Sequence, residues 1–388
     1  MDLSEVTLLC VIGTTDRLGG AEKAFRAIAN GLRSELGMTL KVFSHLQPHE
    51  PDSDFEVTVL RNPEGASLGR LFRNLRSELL EFEGPGILFP FQINSNMLAV
   101  GVNQSLPKGR RFPTILNDRA CIDELLAATA EASWSGRILS PVRRELALRA
   151  YRQADRVVCN ARGNERAVLR FADLDPERVS TIYNPLAVSE IQARFPARDR
   201  SSLGDSQAPL LATHARMSEQ KGLDTLLRAF ARVRERYPGA RLRIVGDGPE
   251  RASLEALAHE LGVVSACEFP GFLSDPLAAI EEADLYVLSS RWEGLPNSLL
   301  EAIGVGLPVV STRCPTGPDE ILLEGEVGRL IAVDDVEAMS REIVDLLSDD
   351  ALREGFARKS RERAKDFSLD RSVAAYKRLM MELLEERG

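Results

Sequence analysis

The feature that most constrains this chain is a regular alternation of short apolar runs with longer amphipathic stretches, which continues from one end to the other. The apolar runs are rich in Val, Ile and Leu, which is typical of strands buried on both faces. Strands that alternate with helices predict βαβ units, and therefore a parallel sheet covered by helices on both sides. In the first half the predicted strands are Val6–Ile12, Leu40–Ser44, Phe55–Val59, Gly86–Phe89, Thr114–Asn117, Arg156–Cys159 and Val179–Ile182. The predicted helices between them are Ala21–Leu36, Ser67–Phe82, Ala99–Ser105 and Pro141–Arg152.

The alternation stops in the polar stretch Ser189–Pro209, whose prolines and weak periodicity predict a linker. It then restarts, so we expect an N-terminal domain over residues 1–188 and a C-terminal domain over residues 210–368. The predicted strands of the second half are Leu210–His214, Arg241–Val245, Ala266–Phe269, Leu285–Leu288, Val309–Ser311 and Gly328–Ile331. The predicted helices are Leu223–Arg236, Glu250–Leu261, Pro276–Ala283, Ser298–Val305, Asp319–Leu323, Val336–Ser348, Ala351–Asp366 and Leu369–Glu386.

The fold class is therefore α/β, with two Rossmann-like, doubly wound halves of similar size. Ligands of such sheets bind beyond the carboxyl ends of the strands. Two such domains that face each other form a cleft, which is a common place for a ligand site. The strand–turn–helix junctions are consequently where functional residues are expected.

Composition excludes several classes of protein. The formal net charge of −9 argues against a protein that coats nucleic acid. The five cysteines form no CxxC pair, which favours a reducing cytoplasm over a disulfide framework. The histidines form no metal-binding pattern, so no metal site is predicted. No apolar run approaches the ~18 residues that span a bilayer, and the N-terminus is acidic where a signal peptide would be basic. We expect a cytoplasmic protein.

Two junctions predict anion binding. Gly19 and Gly20 join the first strand to the first helix, where a helix N-terminus offers free N–H groups to an oxyanion or a sugar hydroxyl. Arg216 and Lys221 follow the first strand of the second half, and two cations beyond a strand end suit a diphosphate. The alternatives are a plain strand–helix turn for the glycines and two solvated surface charges for the cations.

The stretch RWEGLPNSLLE carries two carboxylates, Glu293 and Glu301. Glu293 is predicted in a loop and Glu301 one turn into a helix that starts at a capping residue, Asn297 or Ser298. The amides between the two acids suit a phosphate, and the acids themselves suit hydroxyls at either end of that anion. A glycosidase pair is the alternative, but that chemistry needs two carboxyls facing one bond. The amides concerned are those of Gly294, Leu295, Asn297 and Ser298.

Three further turns leave their interpretation open. The turn GDGP at Gly246 is either near a nucleotide or a plain turn, and Gly271-Phe272 either presents backbone to a base while the ring packs, or packs only. Thr316, Gly317 and Asp319 either add ligand contacts or form a rigid turn.

The order of the motifs GGAE, RMSEQKGLDTLLRAF, GDGP, EGLPNSLLE and GLPVVST resembles the retaining nucleotide-sugar glycosyltransferases of the GT-B fold, family four. The stretch from Glu293 to Leu322 is especially similar to bacterial members that extend lipid-linked or cell-surface glycans. The resemblance spans nearly the whole chain, and its more specific motifs lie in the second half. It implies a nucleoside-diphosphate sugar as donor, UDP-linked in our prediction, and a mechanism without metal or other cofactor.

The resemblance also implies roles for the matching residues. Arg216 and Lys221 would bind the donor diphosphate, Glu293 the donor sugar and Glu301 the ribose. The amides of Gly294 and Leu295 would lie near the donor, as would Gly20, and Phe272 would present backbone to the base. The helix over residues 369–388 would pack back on the N-terminal domain, and closure of the domains would exclude water.

Two departures from the family pattern affect these roles. Pro296 stands where many relatives have a glycine, so one amide is missing there. The first half has no histidine at the acceptor-side position, and Asp118 or Arg119, which follow a predicted strand, stand there instead.

The acceptor side leaves further alternatives. The stretches 67–82 and 141–156 mix arginines with apolar residues at helical spacing, which predicts either contact with an anionic membrane or ordinary helices with a solvated basic face. The alternatives to a transferase are a nucleotide-sugar epimerase on the same fold and a nucleotide-sugar binding module without turnover.

Overall fold

The computed structural model describes residues 2–15, 19–47, 54–60, 67–119, 122, 134–198 and 208–387. The chain divides into two compact units, each with its own sheet and core. The N-terminal unit comprises Met1–Pro185 and Leu369–Gly388, and the C-terminal unit comprises Leu186–Ser368.

The described sheet of the N-terminal unit is parallel, in the order β3-β2-β1-β4, and single bridges from Leu88 to Thr114 and from Phe91 to Asn117 continue it into β5-β6-β7. Its strands are β1 Thr7–Ile12, β2 Thr39–Ser44, β3 Val57–Val59, β4 Gly86–Pro90, β5 Ile115–Asp118, β6 Arg156–Cys159 and β7 Val179–Thr181. Its helices are α1 Gly20–Leu36, α2 Leu68–Glu81, α3 Ile93–Ser105, α4 Trp134–Gln153, α5 Arg162–Ala172 and the last helix of the chain, α14 Leu369–Glu385.

The sheet of the C-terminal unit is also parallel, in the order β10-β9-β8-β11-β12-β13. Its strands are β8 Leu210–His214, β9 Arg241–Val245, β10 Cys267–Gly271, β11 Leu285–Leu288, β12 Val309–Thr312 and β13 Arg329–Ile331. Its helices are α6 Val188–Arg194, α7 Leu223–Arg236, α8 Arg251–Glu260, α9 Pro276–Ile280, α10 Asn297–Val305, α11 Pro318–Ile321, α12 Val336–Ser348 and α13 Asp350–Ala364.

Strand order locates the candidate site. From β8 the chain adds β9 and then β10 on one side, and then returns to place β11 on the other side of β8. The connections after β8 and β11 therefore leave the sheet in opposite directions, which opens a crevice at the carboxyl edge between these two strands. In the N-terminal unit the corresponding point lies between β1 and β4.

The apolar pattern places the predicted elements within a few residues, and the exceptions are helices. Helix α5 was not predicted, because Gly163 and Asn164 in its first turn weaken the helical pattern; both are buried, and Val168 anchors the inner face. Helix α6 forms inside the stretch predicted as a linker, because Ile191 gives even this short polar segment an apolar side to bury. Residues 199–207 of that stretch lie outside the described residues.

Two other helices begin earlier than their periodicity predicts. Helix α3 begins at Ile93 rather than Ala99, and α4 begins at Trp134, so that Pro141 lies inside it. Among the described residues, none of the helices has both the length and the apolar character needed to cross a bilayer.

Helix α14 belongs to the N-terminal unit, although it follows the C-terminal unit in sequence. It packs on α1 where Gly31 leaves room for Val373: a Cβ on Gly31 would lie 2.7 Å from the Val373 side chain. The hydroxyl of Tyr376 is buried and donates to Asn117 Oδ1 at 2.7 Å. The last helix is thus tied to the end of β5 by packing and by a hydrogen bond.

Candidate functional site

The loops after β8 and β11 hold each other in place at the carboxyl edge of the C-terminal sheet. The backbone N–H of Arg291 donates to the Gln220 carbonyl at 2.8 Å, and the Gln220 side chain donates to the Trp292 carbonyl at 2.8 Å. The hydroxyl of Ser289 donates to the Lys221 carbonyl at 2.8 Å. Because both loops are bonded by backbone as well as side-chain groups, their mutual position is fixed.

Gly222 allows this close approach. It has φ 55°, in the left-handed region, and immediately precedes α7. A Cβ at this position would lie 2.2 Å from the backbone oxygen of Ser289, so no other residue fits without moving the loop. The glycine that follows Lys221 therefore serves the junction of the two loops.

Glu293 is brought to Lys221, as the sequence places both at strand ends. Lys221 Nζ lies 2.6 Å from Glu293 Oε1, and the hydroxyl of Ser290 donates to the same oxygen at 2.7 Å. Thr316 donates its hydroxyl to the backbone carbonyl of Glu293. Glu293 is only 6% exposed, so its position is set by these contacts.

Glu301 has a separate partner. His214, the last residue of β8, places Nε2 2.6 Å from Glu301 Oε2, and both side chains are largely buried. The two acids therefore belong to two different pairs, each joining the loop or strand end of β8 to the segment after β11.

Arg216 differs from Lys221 although both were predicted to bind the same anion. It lies between His214 and Lys221 in the sequence, and its side chain is exposed. Among the residues that the structure describes, it has no hydrogen bond or ion pair. Its guanidinium carries five N–H donors in a fixed fork and is therefore able to meet an anion without first breaking an internal contact.

The start of α10 corrects one prediction. The helix begins at Asn297, and the cap position is occupied by Pro296, not by Asn297 or Ser298. Proline supplies the extended backbone of a cap, and its carbonyl accepts from the N–H groups of Leu299 and Leu300. The side chain of Ser298 instead forms a hydrogen bond with the hydroxyl of Tyr286. Asn297 and Ser298 form the first turn of α10, where the backbone N–H groups of a helix point toward its N-terminal end.

The neighbouring segment Gly294-Leu295 packs against Gly317. A Cβ on Gly317, which has φ 96°, would lie 2.6 Å from the Gly294 carbonyl and 2.7 Å from Pro296 Cδ. Pro296 is thus in van der Waals contact with the loop after β12. Leu295 is buried and Gly294 is half-buried.

Gly246 and Phe272 lie on the other side of β8. Gly246 has φ 132°, and a Cβ there would lie 1.9 Å from the Ala215 carbonyl, next to Arg216. Its N–H donates to the Gly271 carbonyl at 2.9 Å, so it joins the loops after β8 and β10. The ring of Phe272 is 61% exposed, whereas the sequence interpretation had it packing inside.

Sequence reasoning missed Arg291. Its guanidinium binds both oxygens of Asp224 at 2.8 and 3.0 Å, Asp334 at 3.0 Å and the Glu219 carbonyl at 2.8 Å. Hydrogen bonding to Asp224 raises the pKa of Arg291. Burial would raise the pKa of Asp224, but the hydrogen bond and the positive charge of Arg291, together with backbone hydrogen bonds, outweigh it, so the pKa of Asp224 is lowered. Arg291 thereby fastens the Glu293 loop to α7. Its acidic partners are far away in sequence, so no local pattern announces it.

Gly20 and Asp118 lie in the N-terminal unit. Gly20 is the first residue of α1, with Gly19 as its cap, and residues 16–18 of the predicted loop lie outside the described part of the chain. Asp118 ends β5 and is 2% exposed. The neighbouring Arg119, the alternative acceptor-side residue, is buried against Asn184 and Tyr376 and therefore acts as a structural anchor in this structure.

Within the described residues there is no group of three or more His, Cys, Asp and Glu side chains that would hold a metal ion. Independence from metal stays a prediction.

Two family profiles match the chain in sequence. Residues 18–190 match the family described as Glycosyltransferase Family 4, and residues 196–363 match the family described as Glycosyl transferases group 1. The boundary between the two matches lies within ten residues of the boundary between the two structural units.

Named relatives agree with these profiles. The lipopolysaccharide core biosynthesis glycosyltransferase LpsE of Rhizobium meliloti is 34% identical over 232 residues, which is 59% of this chain and 65% of that protein. The match to an uncharacterised glycosyltransferase of Methanocaldococcus jannaschii, 31% identical, covers 42% of this chain and 48% of that protein. The chain thus spans about half to two thirds of the length of these curated relatives.

Solved structures share the fold at low sequence identity. Anabaena HepE in complex with UDP is 19% identical, with 97% of this chain and 100% of that chain aligned at a TM-score of 0.73. Sucrose-phosphate synthase from Thermosynechococcus elongatus is 18% identical, with 98% and 100% aligned at a TM-score of 0.77. With one glycosyltransferase domain in each half and this architecture, the chain belongs to the family-four type of glycosyltransferases with the GT-B fold.

Proposed function

We propose that the protein transfers a sugar from a nucleoside-diphosphate sugar, UDP-linked in the first instance, to a hydroxyl of a lipid-linked or cell-surface glycan, with retention of the anomeric configuration. The observation that carries this proposal is the pairing of Lys221 with Glu293 and of His214 with Glu301 at the switch point of the C-terminal sheet. These pairs bring the two acids of the Glu-x7-Glu segment to the basic strand end, with a helix N-terminus between them in sequence.

In this proposal the diphosphate binds to Arg216 and Lys221. A lysine ammonium carries three donors, so Lys221 can keep its contact to Glu293 and still bind a phosphate oxygen. The first-turn amides of α10 and the Gly294-Leu295 segment supply further donors, and Gly20 is proposed near the same phosphates. Glu293 then contacts hydroxyls of the donor sugar.

Glu301 accepts hydrogen bonds from the ribose hydroxyls, which an ionised carboxylate can do with several lone pairs. Phe272 and Gly246 are proposed near the base. The exposure of the Phe272 ring favours a stacking contact in addition to the backbone contact that the family pattern implies.

Chemically, the acceptor oxygen bonds to the anomeric carbon, the bond from that carbon to the diphosphate breaks, and the acceptor proton leaves with the diphosphate. Negative charge accumulates on the departing group. Preorganised cations and amides that face this charge lower the barrier, which is the role assigned to Arg216 and Lys221. Asp118 is proposed as the acceptor-side residue.

The UDP assignment is supported by HepE, which was crystallised with UDP, and the glycan acceptor by the lipopolysaccharide core biosynthesis named for LpsE. A thermal-shift screen of nucleotide sugars tests the donor. Release of free nucleoside diphosphate only when acceptor extract is present supports transfer. An epimerase would convert the donor without an acceptor, and a binding module would show binding without turnover.

Helices α2 and α4 support a further proposal, contact with an anionic membrane that carries the acceptor. Leu68 of α2 is 81% exposed, and Val142 and Leu146 of α4 are 57% and 50% exposed. Arginines stand beside these apolar residues, as in helices that lie on anionic lipid. Flotation with vesicles that contain phosphatidylglycerol, but not with phosphatidylcholine alone, is expected; equal behaviour with both would contradict the proposal.

A further inference from the structure

His214 is a buried histidine in contact with one of the two acids of the site. It is the last residue of β8, is 7% exposed, and lies in register with Val245 of β9. Its Nε2 is 2.6 Å from Glu301 Oε2, and its Nδ1 is buried without a hydrogen-bond partner among the described residues. A polar side chain in such a place is costly unless its contacts are used.

The partner determines which ring nitrogen carries a proton. An ionised carboxylate only accepts hydrogen bonds, so Nε2 of His214 must be the donor to Glu301. With Nε2 committed to Glu301, the histidine is not free to take a proton from a substrate through that atom. Its contact acts on the orientation of the Glu301 carboxylate.

Tyr286 holds the histidine from the neighbouring strand. The two rings are 5.5 Å apart in an edge-to-face arrangement, and the Tyr286 hydroxyl lies 3.4 Å from the His214 backbone nitrogen. The same hydroxyl bonds to the side chain of Ser298, one turn before Glu301 on α10. Strand end, helix start and acid are therefore linked through one small buried cluster.

We propose that His214 is a positioning residue that orients the Glu301 carboxylate toward the ribose hydroxyls of the donor, and thereby sets the selectivity of the site for ribonucleotides. This inference rests on the proposed function, in which Glu301 contacts the ribose. It adds that the selectivity depends on a residue that does not itself touch the nucleotide.

The test compares binding of UDP and GDP with that of their 2′,3′-dideoxy forms by calorimetry, in the full chain. Wild type should prefer the ribose form by roughly tenfold or more, since a hydrogen bond to a charged group is worth about that factor. His214→Phe keeps a ring beside Tyr286 but removes the donor, and should bring this ratio close to one. His214→Gln, which keeps an N–H donor, should restore most of the ratio.

Thermal unfolding checks that both variants fold, and His214→Leu repeats the donor deletion should His214→Phe not fold. A donor-less variant with the wild-type ratio would overturn the inference, as would one that weakens both forms equally, which is the result of a purely structural role. If wild type binds both nucleotides without preferring ribose, the proposed role of Glu301 fails and takes the inference with it. If wild type binds no nucleotide, the proposed donor class itself fails.

Discussion

Two arginines that follow strand ends, one in each unit, differ in burial and in hydrogen bonding. Arg119 follows β5 in the N-terminal unit and is 8% exposed, with hydrogen bonds to Asn117, Asn184 and Tyr376 and its guanidinium 4.6 Å from the Phe91 ring. Arg216 follows β8 in the C-terminal unit and is exposed, without a partner among the described residues. An arginine after a strand end is thus buried and hydrogen-bonded within the N-terminal unit, whereas in the C-terminal unit it is exposed and able to contact a ligand.

The difference teaches that strand-end position alone does not assign chemistry. At the carboxyl edge of the N-terminal sheet, Asn117 and Arg119 form hydrogen bonds with each other and with Tyr376 of the last helix. At the carboxyl edge of the C-terminal sheet the acids are paired with Lys221 and His214, and the Arg216 side chain, in the loop after β8, is exposed. We therefore expect substitution of Arg216 or Lys221 in the C-terminal unit to change donor binding and turnover. Substitution of Arg119 or of its partner Tyr376 in the N-terminal unit is expected to change stability.

The largest effect is expected for Lys221→Ala. The change removes a cation from the proposed leaving group and leaves Glu293, which is 6% exposed, without its ion-pair partner. Loss of a preorganised donor of this kind lowers kcat by about 10²–10³-fold. The measurement is release of free nucleoside diphosphate with acceptor present. Lys41→Ala, which removes a half-exposed lysine paired with Glu78 in the other unit, is the control and should keep full activity.

The next largest effect is expected on the stability of the N-terminal unit. Tyr376→Phe removes the hydroxyl that binds Asn117 and Arg119, leaving buried polar groups unsatisfied. The expected loss is roughly 2–3 kcal/mol of unfolding free energy, measured by urea unfolding. Tyr237→Phe is the matched control, since the Tyr237 hydroxyl has no hydrogen bond among the described residues. Equal stability of the two variants would contradict the anchoring role.

His45 follows β2 in the N-terminal unit, and its pKa shift should make the free energy of unfolding depend on pH. The expected change is about 2 kcal/mol. Burial lowers the pKa of His45 from 6.5 to about 4. Between these values the unfolded chain binds a proton that the folded chain does not, so stability falls as the pH drops below 6.5. Urea unfolding at pH 7 and pH 5 measures it.

His45→Gln should lose this contribution to the slope, whereas His259→Gln, at an exposed histidine of α8, should keep it. Parallel slopes in wild type and His45→Gln would show that the acid sensitivity has another source.

The smallest effect marks the background for the comparison. Arg232 and Glu337 form a 2.9 Å ion pair with side chains that are 47% and 75% exposed. Exposed pairs of this kind contribute about 0–1 kcal/mol, so Arg232→Ala should change neither stability nor turnover by more than that. A larger loss would mean that substitutions in the C-terminal unit do not report on the site alone.

The sequence predicts the C-terminal site better than the N-terminal one, for a physical reason. Around Glu293 the strand, turn and helix start are contiguous, so periodicity and turn chemistry place the residue within one junction. Which residues pair is less accessible. The contact of His214 with Glu301 joins positions 87 residues apart, and that of Arg119 with Tyr376 joins positions 257 apart.

Two errors show the same limit from the local side. The stretch that forms helix α6 is predicted as part of a linker because residues 189–209 are mostly polar, contain prolines and show weak periodicity, whereas Ile191 packs inside. The cap of α10 was assigned to Asn297 or Ser298 by side-chain preference, whereas packing of Pro296 against Gly317 shifts the cap by one residue. In both cases tertiary packing outweighs the local propensity.

The most direct test of the central claim is the turnover of Arg216→Ala beside that of Tyr376→Phe, as the rate of acceptor-dependent release of nucleoside diphosphate per folded molecule. Because Arg216 is assigned to the charge of the departing diphosphate, its variant should lose roughly a hundredfold or more in rate. Tyr376→Phe should stay close to wild type. Full turnover by Arg216→Ala, or an equal loss in Tyr376→Phe, would contradict the account.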